Sequence, residues 1–415
     1  MKKTVFYSRG VGNHQLMLIS FFILIIAVTF SAFTNYSSFI IYPIWALWLA
    51  YIFSNKGGFN KDERTFIIVS FAFLGIMLLY SIIGYSSIPK GGLLVNTNWL
   101  MAGVVAVYAM RLFTSRELLT VYDIMFLALA LLMILYVVEG RTFLAVEDMD
   151  AAVDVTNAWY GALFMLLSGL SLIVLLNVRR LFPRLVALTV ILLSLYLNVE
   201  ILQRGTNVIM TAAELGLILL FLVKRKSIIV PLFVVIIVAV IIALSENNLM
   251  YLFEWLAQVV PSERLSIRFS AISQAMAFQS VEAGGGSLAT RGELMATSWN
   301  TFTSSFGHIV FGAGEHFGNN NIIGHHSFFL DTLARYGIIG GSLMAVYFVK
   351  QYKMVMCFLD RNKEWSLYMQ CAIVFVFYVL RNFYGDMAFA LVNLVVLLFF
   401  PLTVQLIHYY QNKSK

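Results

Sequence analysis

Long apolar stretches, separated by short polar connections, run along almost the whole chain. Each stretch is close to the roughly 20 residues that an α-helix needs to cross a bilayer. We therefore predict an all-α, polytopic membrane protein with about twelve transmembrane helices. Their approximate bounds are residues 15–34, 37–54, 66–84, 96–113, 118–138, 158–177, 184–203, 206–223, 228–245, 326–349, 365–383 and 388–408.

One long polar interval interrupts this pattern. It covers residues 246–325 and separates the transmembrane helices predicted in residues 1–245 from those predicted in residues 326–415. No other interval between two apolar stretches is as long. We therefore predict one large extracytoplasmic loop, for which most of the remaining chain acts as a scaffold.

Inside this loop, the pattern predicts helices and breaks in turn. Residues 264–278 and residues 292–304 place apolar side chains at helical spacing. Between them, residues 282–290 contain consecutive glycines, which predict a flexible break. Residues 311–314, with the sequence Phe-Gly-Ala-Gly, predict a tight turn because glycine adopts the backbone conformations that turns require.

Composition supports the membrane prediction. Apolar residues make up 60% of the chain and charged residues 12%, whereas soluble domains contain about 25% charged residues. The net charge of +7 comes from short Lys and Arg clusters between apolar stretches, a distribution typical of topology signals and not of nucleic-acid binding. The positive-inside rule predicts that both termini are cytoplasmic and that residues 246–325 lie outside.

His326 is the first candidate catalytic residue. Leu330, Leu333, Gly337 and Gly340 follow it at helical spacing, which predicts one continuous helical stripe. The small residues on that stripe would let another helix approach closely. An imidazole near the membrane surface can accept a proton at neutral pH, so His326 is a candidate general base. A capping or interfacial histidine remains the alternative from the residues alone.

Arginines supply candidate anion-binding groups. Arg204 follows an apolar stretch, where an unpaired guanidinium suits a phosphate because its planar fork binds oxyanions bidentately. Glu200 lies four residues earlier and could instead form an ion pair with it. Arg264, Arg268 and Arg291 lie in the polar loop, where a solvated surface is the alternative. If these three arginines converge with Arg204, they form a pocket for a diphosphate.

The chain lacks the patterns of several other kinds of site. The loop histidines match no ordinary metal-ligand spacing, and no glycine-rich phosphate loop is present. We therefore expect neither a metal nor a cofactor. Cys357 and Cys371 lack redox spacing and are predicted to be small buried hydrophobic residues. Glu214 lies in a predicted span, where it could relay protons in a transporter, reach the interface or pair with a neighbour.

Together, these features resemble the family of O-antigen ligases and of O-antigen or capsule repeat-unit polymerases. The match comprises the polytopic chain, the large loop near the C-terminal third and a set of short motifs. The motifs are Arg204-Gly205, the segment from Arg291 to Trp299, the turn Phe311–Gly314, and His326-Ser327 followed by Leu330, Leu333, Gly337 and Gly340. The departures are Gln203, where a serine often precedes the arginine, and Ser327, where asparagine is commoner.

The resemblance implies a GT-C-like membrane glycosyltransferase in the bacterial inner (plasma) membrane, with its active site facing the periplasm or outside. Its donor would be an undecaprenyl-diphosphate-linked glycan. The acceptor hydroxyl belongs to another lipid-linked repeat unit in a polymerase and to lipid A-core in a ligase. A polymerase is the function that we expect, and a ligase is the first alternative. A lipid or solute transporter is the alternative of another class.

The resemblance also implies a role for each candidate residue. His326, Arg291 and Arg204 would be catalytic, with the histidine as base and the arginines at the diphosphate. The substrate-binding residues would be Arg264, Arg268, His325 and Glu200. Whether a partner such as a chain-length regulator protein docks on the loop stays open.

Overall fold

The structure is a computed structural model. It describes residues 11–30, 37–54, 59–82, 90–144, 159–198, 205–221, 254–260, 263, 266–267, 269–270, 287–314, 323–324, 327–383 and 390–413. The described residues are almost all helical and form no strand. The all-α prediction is therefore confirmed for this part of the chain.

The helices follow the apolar pattern along the chain. In order, they are α1 (Val11–Thr29), α2 (Ser37–Ser54), α3 (Lys61–Ile82), α4 (Lys90–Leu112), α5 (Ser115–Leu144), α6 (Trp159–Asn177), α7 (Leu181–Tyr196), α8 (Gly205–Leu220), α9 (Ser287–Thr303), α10 (Phe306–Phe311), α11 (Phe328–Met356), α12 (Trp365–Arg381), α13 (Ala390–Leu394) and α14 (Phe400–Lys413). A π-helical turn, Val395–Phe399, joins α13 to α14. The span predicted over residues 228–245 lies outside the described residues.

Several of these helices are suited to a membrane. Among the described residues, 5 segments are long and apolar enough to cross one, by length and composition. They are Lys61–Tyr80, Ser115–Val138, Tyr160–Asn177, Phe328–Met356 and Ala390–Gln411. The shorter apolar helices are His14–Thr29, Ile40–Ser54, Leu181–Tyr196, Met210–Leu220 and Trp365–Arg381. The fold is compatible with a polytopic membrane protein, and the number of twelve spans stays a prediction.

Two local predictions are wrong. Helix α9 begins at Ser287, so the flexible break predicted over residues 282–290 does not extend to its predicted end. Residues 287–291 contain neither glycine nor proline, which lets the helix start before Gly292. Cys357 is exposed because it lies just after the end of α11, whereas Cys371, within α12, is buried as predicted.

The chain forms two compact units. Unit 1 contains Met1–Leu135, Ser342–Phe358 and Ala388–Tyr409. Unit 2 contains Tyr136–Gly341, Leu359–Met387 and Tyr410–Lys415. The polar loop of the sequence analysis therefore belongs to unit 2, together with α6, α7, α8 and α12.

A buried asparagine joins three helices of unit 1. Asn393 in α13 donates hydrogen bonds to the carbonyl of Trp99 (2.6 Å) and to the hydroxyl of Tyr347 (2.7 Å). Its side-chain oxygen accepts a hydrogen bond from Nε2 of Gln351 (2.6 Å). Because polar groups in an apolar interior must find partners within the protein, these bonds hold α4, α11 and α13 together.

Charged side chains join helix ends in unit 1. Lys350 in α11 pairs with Asp62 at the start of α3 (2.6 Å), and Arg111 near the end of α4 pairs with Glu63 (2.7 Å). The distribution of Lys and Arg predicts that these connections share one side of the membrane. The ion pairs place these helix ends together, in agreement with that prediction, while the direction in which they face stays a prediction.

A buried carboxyl group lies between three helices of unit 2. Helices α6, α8 and α12 pack against one another, and Glu214 of α8 is 0% exposed. Its carboxyl group contacts Gly169 of α6, whose missing side chain provides the space. Within the described part of the chain, neither carboxyl oxygen has a hydrogen-bond partner. Its burial excludes the alternative in which Glu214 reaches the interface.

We predict that Asn393→Ala destabilises the protein. The substitution leaves the Trp99 carbonyl and the Gln351 amide buried without this partner, and each such loss costs about 1–3 kcal/mol. Thermal unfolding of the purified protein in detergent measures the effect. The control is Ile68→Ala, which shortens a side chain that is 66% exposed. Equal unfolding temperatures for the two variants would show that the Asn393 hydrogen bonds do not stabilise unit 1.

Candidate functional site

The structure describes the chain around most of the candidate residues but not the candidates themselves. Arg291 lies in the first half of α9, and only its backbone is described. The other candidates lie outside the described residues; they are Glu200, Arg204, Arg264, Arg268, His325 and His326. The geometry of the site is therefore built from their described chain neighbours, all of which belong to unit 2.

Asp331 connects α9 to the start of α11. One of its carboxylate oxygens accepts a hydrogen bond from the hydroxyl of Ser298 in α9 (2.5 Å). The other accepts one from the backbone N–H of Ser327 (3.1 Å). The Ser298 oxygen in turn accepts a hydrogen bond from the backbone N–H of Gly324 (2.9 Å). This buried network joins α9 to the chain on both sides of His325 and His326.

The start of α11 has its own cap. The Ser327 hydroxyl accepts a hydrogen bond from the backbone N–H of Leu330 (3.3 Å), while Asp331 accepts one from the Ser327 N–H. This reciprocal pattern is a capping box in which the acidic residue lies one position later than usual. An acidic side chain in the first helical turn is also favoured by the helix dipole. Ser327 and Asp331 therefore determine where α11 begins.

Gly324 allows the chain before α11 to lie directly on α9. A Cβ atom at Gly324 would collide with the backbone carbonyl of Leu294. Leu294 lies one helical turn after Arg291, and Gly324 lies two residues before His326. The segment that leads to the candidate base is therefore packed against the helix that carries a candidate arginine.

The Phe-Gly-Ala-Gly turn binds the backbone of α11. The N–H groups of Ala313 and Gly314 donate hydrogen bonds to the carbonyls of Ala334 (2.7 Å) and Arg335 (3.1 Å), respectively. The turn requires glycine because Gly312 and Gly314 have φ angles of 79° and 70°, a region that other residues rarely adopt. The turn predicted from sequence is confirmed, and its function is to hold α10 against α11.

The continuous helical stripe predicted from His326 to Gly340 is wrong. Gly337 has non-helical backbone angles (φ 60°, ψ −161°) and marks a kink in α11. A Cβ atom at Gly337 would collide with the backbone of Val310 and Gly312. Gly337 therefore makes room for the end of α10 and for the turn that follows it. The predicted close approach of another helix is confirmed at this glycine, and only the continuity of the stripe is wrong.

A small apolar core lies between α9, α10 and α11. Phe302, Ile323 and Ala334 are buried together, and Ile309 and Leu333 pack against them. Burial of apolar side chains stabilises this contact. The part of the loop that surrounds the candidate site is therefore held by a hydrophobic core as well as by hydrogen bonds.

Three helix ends meet at one end of unit 2. The ring of Phe329, in the first turn of α11, stacks on Phe383 just after α12 (centroids 4.2 Å apart). Two residues before Phe383, Arg381 donates a hydrogen bond from Nε to the side-chain oxygen of Asn207 (3.0 Å). Asn207 lies in the first turn of α8, two residues after Gly205 of the Arg204-Gly205 motif. These contacts place the described neighbours of Arg204 and of His326 at the same end of unit 2.

One loop histidine is accounted for by local contacts. The Nδ1 atom of His308 lies 2.6 Å from the Ser304 hydroxyl and 3.2 Å from the Thr301 carbonyl. Among the described residues, no group of three or more His, Cys, Asp or Glu side chains could hold a metal ion. Because the other loop histidines lie outside those residues, the absence of a metal site stays a prediction.

Sequence reasoning missed several of these positioning residues. Asp331 could have been found from its spacing to Ser327, which resembles a capping box. Arg381 carries a signal as well, since it is a basic residue in an apolar helix, where ionisable groups are costly. Ser298 and Gly324 carry no such signal, because their role depends on which segments pack together.

The chain matches no protein-family model, and it matches no curated protein. The resemblance to polysaccharide polymerases and ligases therefore rests on the motifs of this sequence.

We predict that Asp331→Ala loosens the start of α11. Hydrogen bonds to charged groups contribute about 1.5–3 kcal/mol to stability. Their loss should therefore accelerate amide exchange roughly ten-fold or more. Hydrogen exchange measured by mass spectrometry on peptides covering residues 323–331 tests this expectation. Thr303→Ala, which removes an exposed hydrogen bond within α9, is the control. Unchanged exchange in the Asp331 variant would contradict the proposed connection.

We predict that Gly337→Ala destabilises unit 2. A side chain at a positive φ costs about 1–2 kcal/mol, and the atoms that it meets belong to backbone that cannot rotate away. The control is Gly216→Ala in α8, where an added Cβ meets nothing within 4 Å and alanine favours the helix. We expect a lower thermal unfolding temperature for Gly337→Ala than for Gly216→Ala. Equal unfolding temperatures would show that the structure does not require glycine at the kink.

Proposed function

We propose that the protein is a membrane glycosyltransferase that polymerises undecaprenyl-diphosphate-linked repeat units into O-antigen or capsular polysaccharide. The growing glycan is transferred from its lipid diphosphate to a sugar hydroxyl of another lipid-linked unit. His326 acts as the base, and Arg204 and Arg291 bind the diphosphate. The observation that carries the proposal is the motif set of the sequence. The packing of α9 on the chain beside His326 supports it, because α9 carries Arg291 of the same motif set.

The chemistry requires charge stabilisation more than a strong nucleophile. The acceptor oxygen bonds to the anomeric carbon while the bond between that carbon and the diphosphate oxygen breaks. The electron pair leaves with the diphosphate, and the hydroxyl proton passes to His326. Preorganised guanidinium groups would stabilise the charge that develops on the leaving group. Because the diphosphate is already a good leaving group, the proposal requires neither a metal nor a nucleotide.

The packing around the site supports this division of roles. Arg291 is carried by α9, and Ser298 of the same helix is tied to Asp331 at the start of α11. Gly324 allows close contact with Leu294 on the same helix. Rotational freedom that a flexible loop would lose on binding is thereby removed in advance, which favours catalysis. Arg264, Arg268, His325 and Glu200 remain proposed substrate-binding residues.

The ligase and the transporter alternatives assign different roles to the same residues. A ligase would use the same motifs but transfer the polymer to lipid A-core. A transporter would give Glu214 a task, because a buried carboxyl group can carry a proton. A transporter would assign no role to His326 or to the loop arginines, so we propose the polymerase.

We predict that His326→Ala abolishes long polymer in cells. The variant is expressed in a strain from which the gene is deleted, and glycan length is measured by gel electrophoresis. General bases contribute typically 10²–10⁴-fold in rate, so loss of the imidazole should leave short glycans. His308→Ala is the control, because that histidine belongs to the same loop and contacts Ser304.

The deletion strain separates the two enzymes. Single repeat units on lipid A-core identify a polymerase, whereas long unattached polymer on the lipid carrier identifies a ligase. Polymer of full length in the His326→Ala strain would contradict the catalytic role of this histidine. An equal defect in His308→Ala would show that the loop as a whole, and not one imidazole, is required.

A further inference from the structure

Asn207 presents a buried hydrogen-bond donor without an acceptor. Its side chain is 1% exposed, and its oxygen accepts from Nε of Arg381 (3.0 Å). Because an arginine side chain only donates, this contact determines which side of the amide is oxygen and which is nitrogen. The remaining Nδ2 group has no hydrogen-bond partner among the described residues. Such a buried group in a native protein usually has an acceptor supplied by water or a ligand.

Among the described residues, hydrogen-bond donors lie beside the Asn207 side chain. Asn207 is in the first turn of α8, where the backbone N–H groups have no acceptor within the helix and the helix dipole is positive. The guanidinium of Arg381, which is 7% exposed, lies against the amide. Glu214, the acidic residue of the same helix, is two turns away, at a rise of roughly 10 Å. A helix start, a guanidinium and an amide N–H favour an anion with several oxygens.

We propose that Asn207, Arg381 and the first turn of α8 form a binding site for a phosphoryl anion. The assignment of that anion as the diphosphate of a lipid-linked glycan rests on the proposed function, whereas the site itself rests on the buried Nδ2 donor of Asn207 at the start of α8. Arg204, the arginine of the sequence motif, directly precedes this turn in the chain. Asn207 and Arg381 thus join it as substrate-binding residues that the motifs alone do not identify.

The position of the site agrees with this role. Phe383, two residues after Arg381, stacks on Phe329 in the first turn of α11. The proposed anion site therefore lies at the end of unit 2 where the chain beside His326 is found. A donor diphosphate bound at α8 would therefore lie at the same end of unit 2 as the described residues that flank the proposed base.

The test uses the purified full-length protein in detergent and two probes. Farnesyl diphosphate represents a lipid-linked diphosphate, and inorganic pyrophosphate represents a free one. Calorimetry and ligand-induced thermal stabilisation measure the affinity of each. We expect saturable binding by the wild-type protein. Binding of farnesyl diphosphate alone indicates a lipid-linked ligand, and equal affinity for both probes indicates that the phosphoryl groups suffice.

The decisive variant is Asn207→Asp. It keeps an oxygen that can accept from Arg381 but replaces the Nδ2 donor with a second oxygen and adds a negative charge. We expect affinity at least ten-fold lower than in the wild type. Asn300→Asp makes the same chemical change on an exposed surface of α9 and should bind normally. If Asn207→Asp does not yield folded protein, Asn207→Ala removes the same donor without adding charge.

Two results would overturn the anion site. One is the absence of saturable binding of either probe to the wild-type protein, which needs no variant. The other is that the Asn300→Asp variant and a folded Asn207 variant bind the probes with equal affinity. The contact between Asn207 and Arg381 would then only connect two helices. Unchanged polysaccharide in the deletion strain together with weakened binding in Asn207→Asp would refute the proposed function but not the site.

Discussion

The hydrogen bonds of one buried carboxylate determine how the loop is attached to the rest of unit 2. Asp331 binds Ser298 on α9 and the backbone of Ser327 at the start of α11. The Ser298 hydroxyl is then positioned to accept from Gly324. Each member of this network satisfies another, so the network is cooperative and loss of one member leaves several buried groups without partners.

Backbone contact through glycine provides the second attachment. The turn at Gly312 and the kink at Gly337 face each other, and a Cβ atom on either glycine would meet the backbone of the other segment. The turn and the kink, which are separate in the sequence, therefore form one contact. The N–H groups of Ala313 and Gly314 strengthen this contact by donating hydrogen bonds to backbone carbonyls of α11. These contacts hold α10 and the turn that follows it against α11.

Two buried asparagines within the helices differ in how completely their side chains are hydrogen-bonded. Asn393 uses both its oxygen and its nitrogen in hydrogen bonds to neighbouring helices. Asn207 uses its oxygen in the contact with Arg381 and leaves its nitrogen without an acceptor among the described residues. A fully satisfied group stabilises helix packing, whereas the donor left over at the start of α8 is the basis of the proposed anion site. The same residue type therefore has a structural role in unit 1 and a proposed binding role in unit 2.

The sequence alone determined the helical class and most helix positions, because apolar stretches of membrane length are a local property of the chain. It also indicated the turn at residues 311–314, since positive φ angles favour glycine wherever they occur. It did not reveal the kink at Gly337, because a continuous helix and a kinked one have the same apolar spacing. The kink, the link from Ser298 to Asp331 and the contact between Asn207 and Arg381 were decided by tertiary structure. Each depends on residues far apart in the chain that meet only when their helices pack, and hydrogen bonds of that kind leave no periodic signal in a sequence.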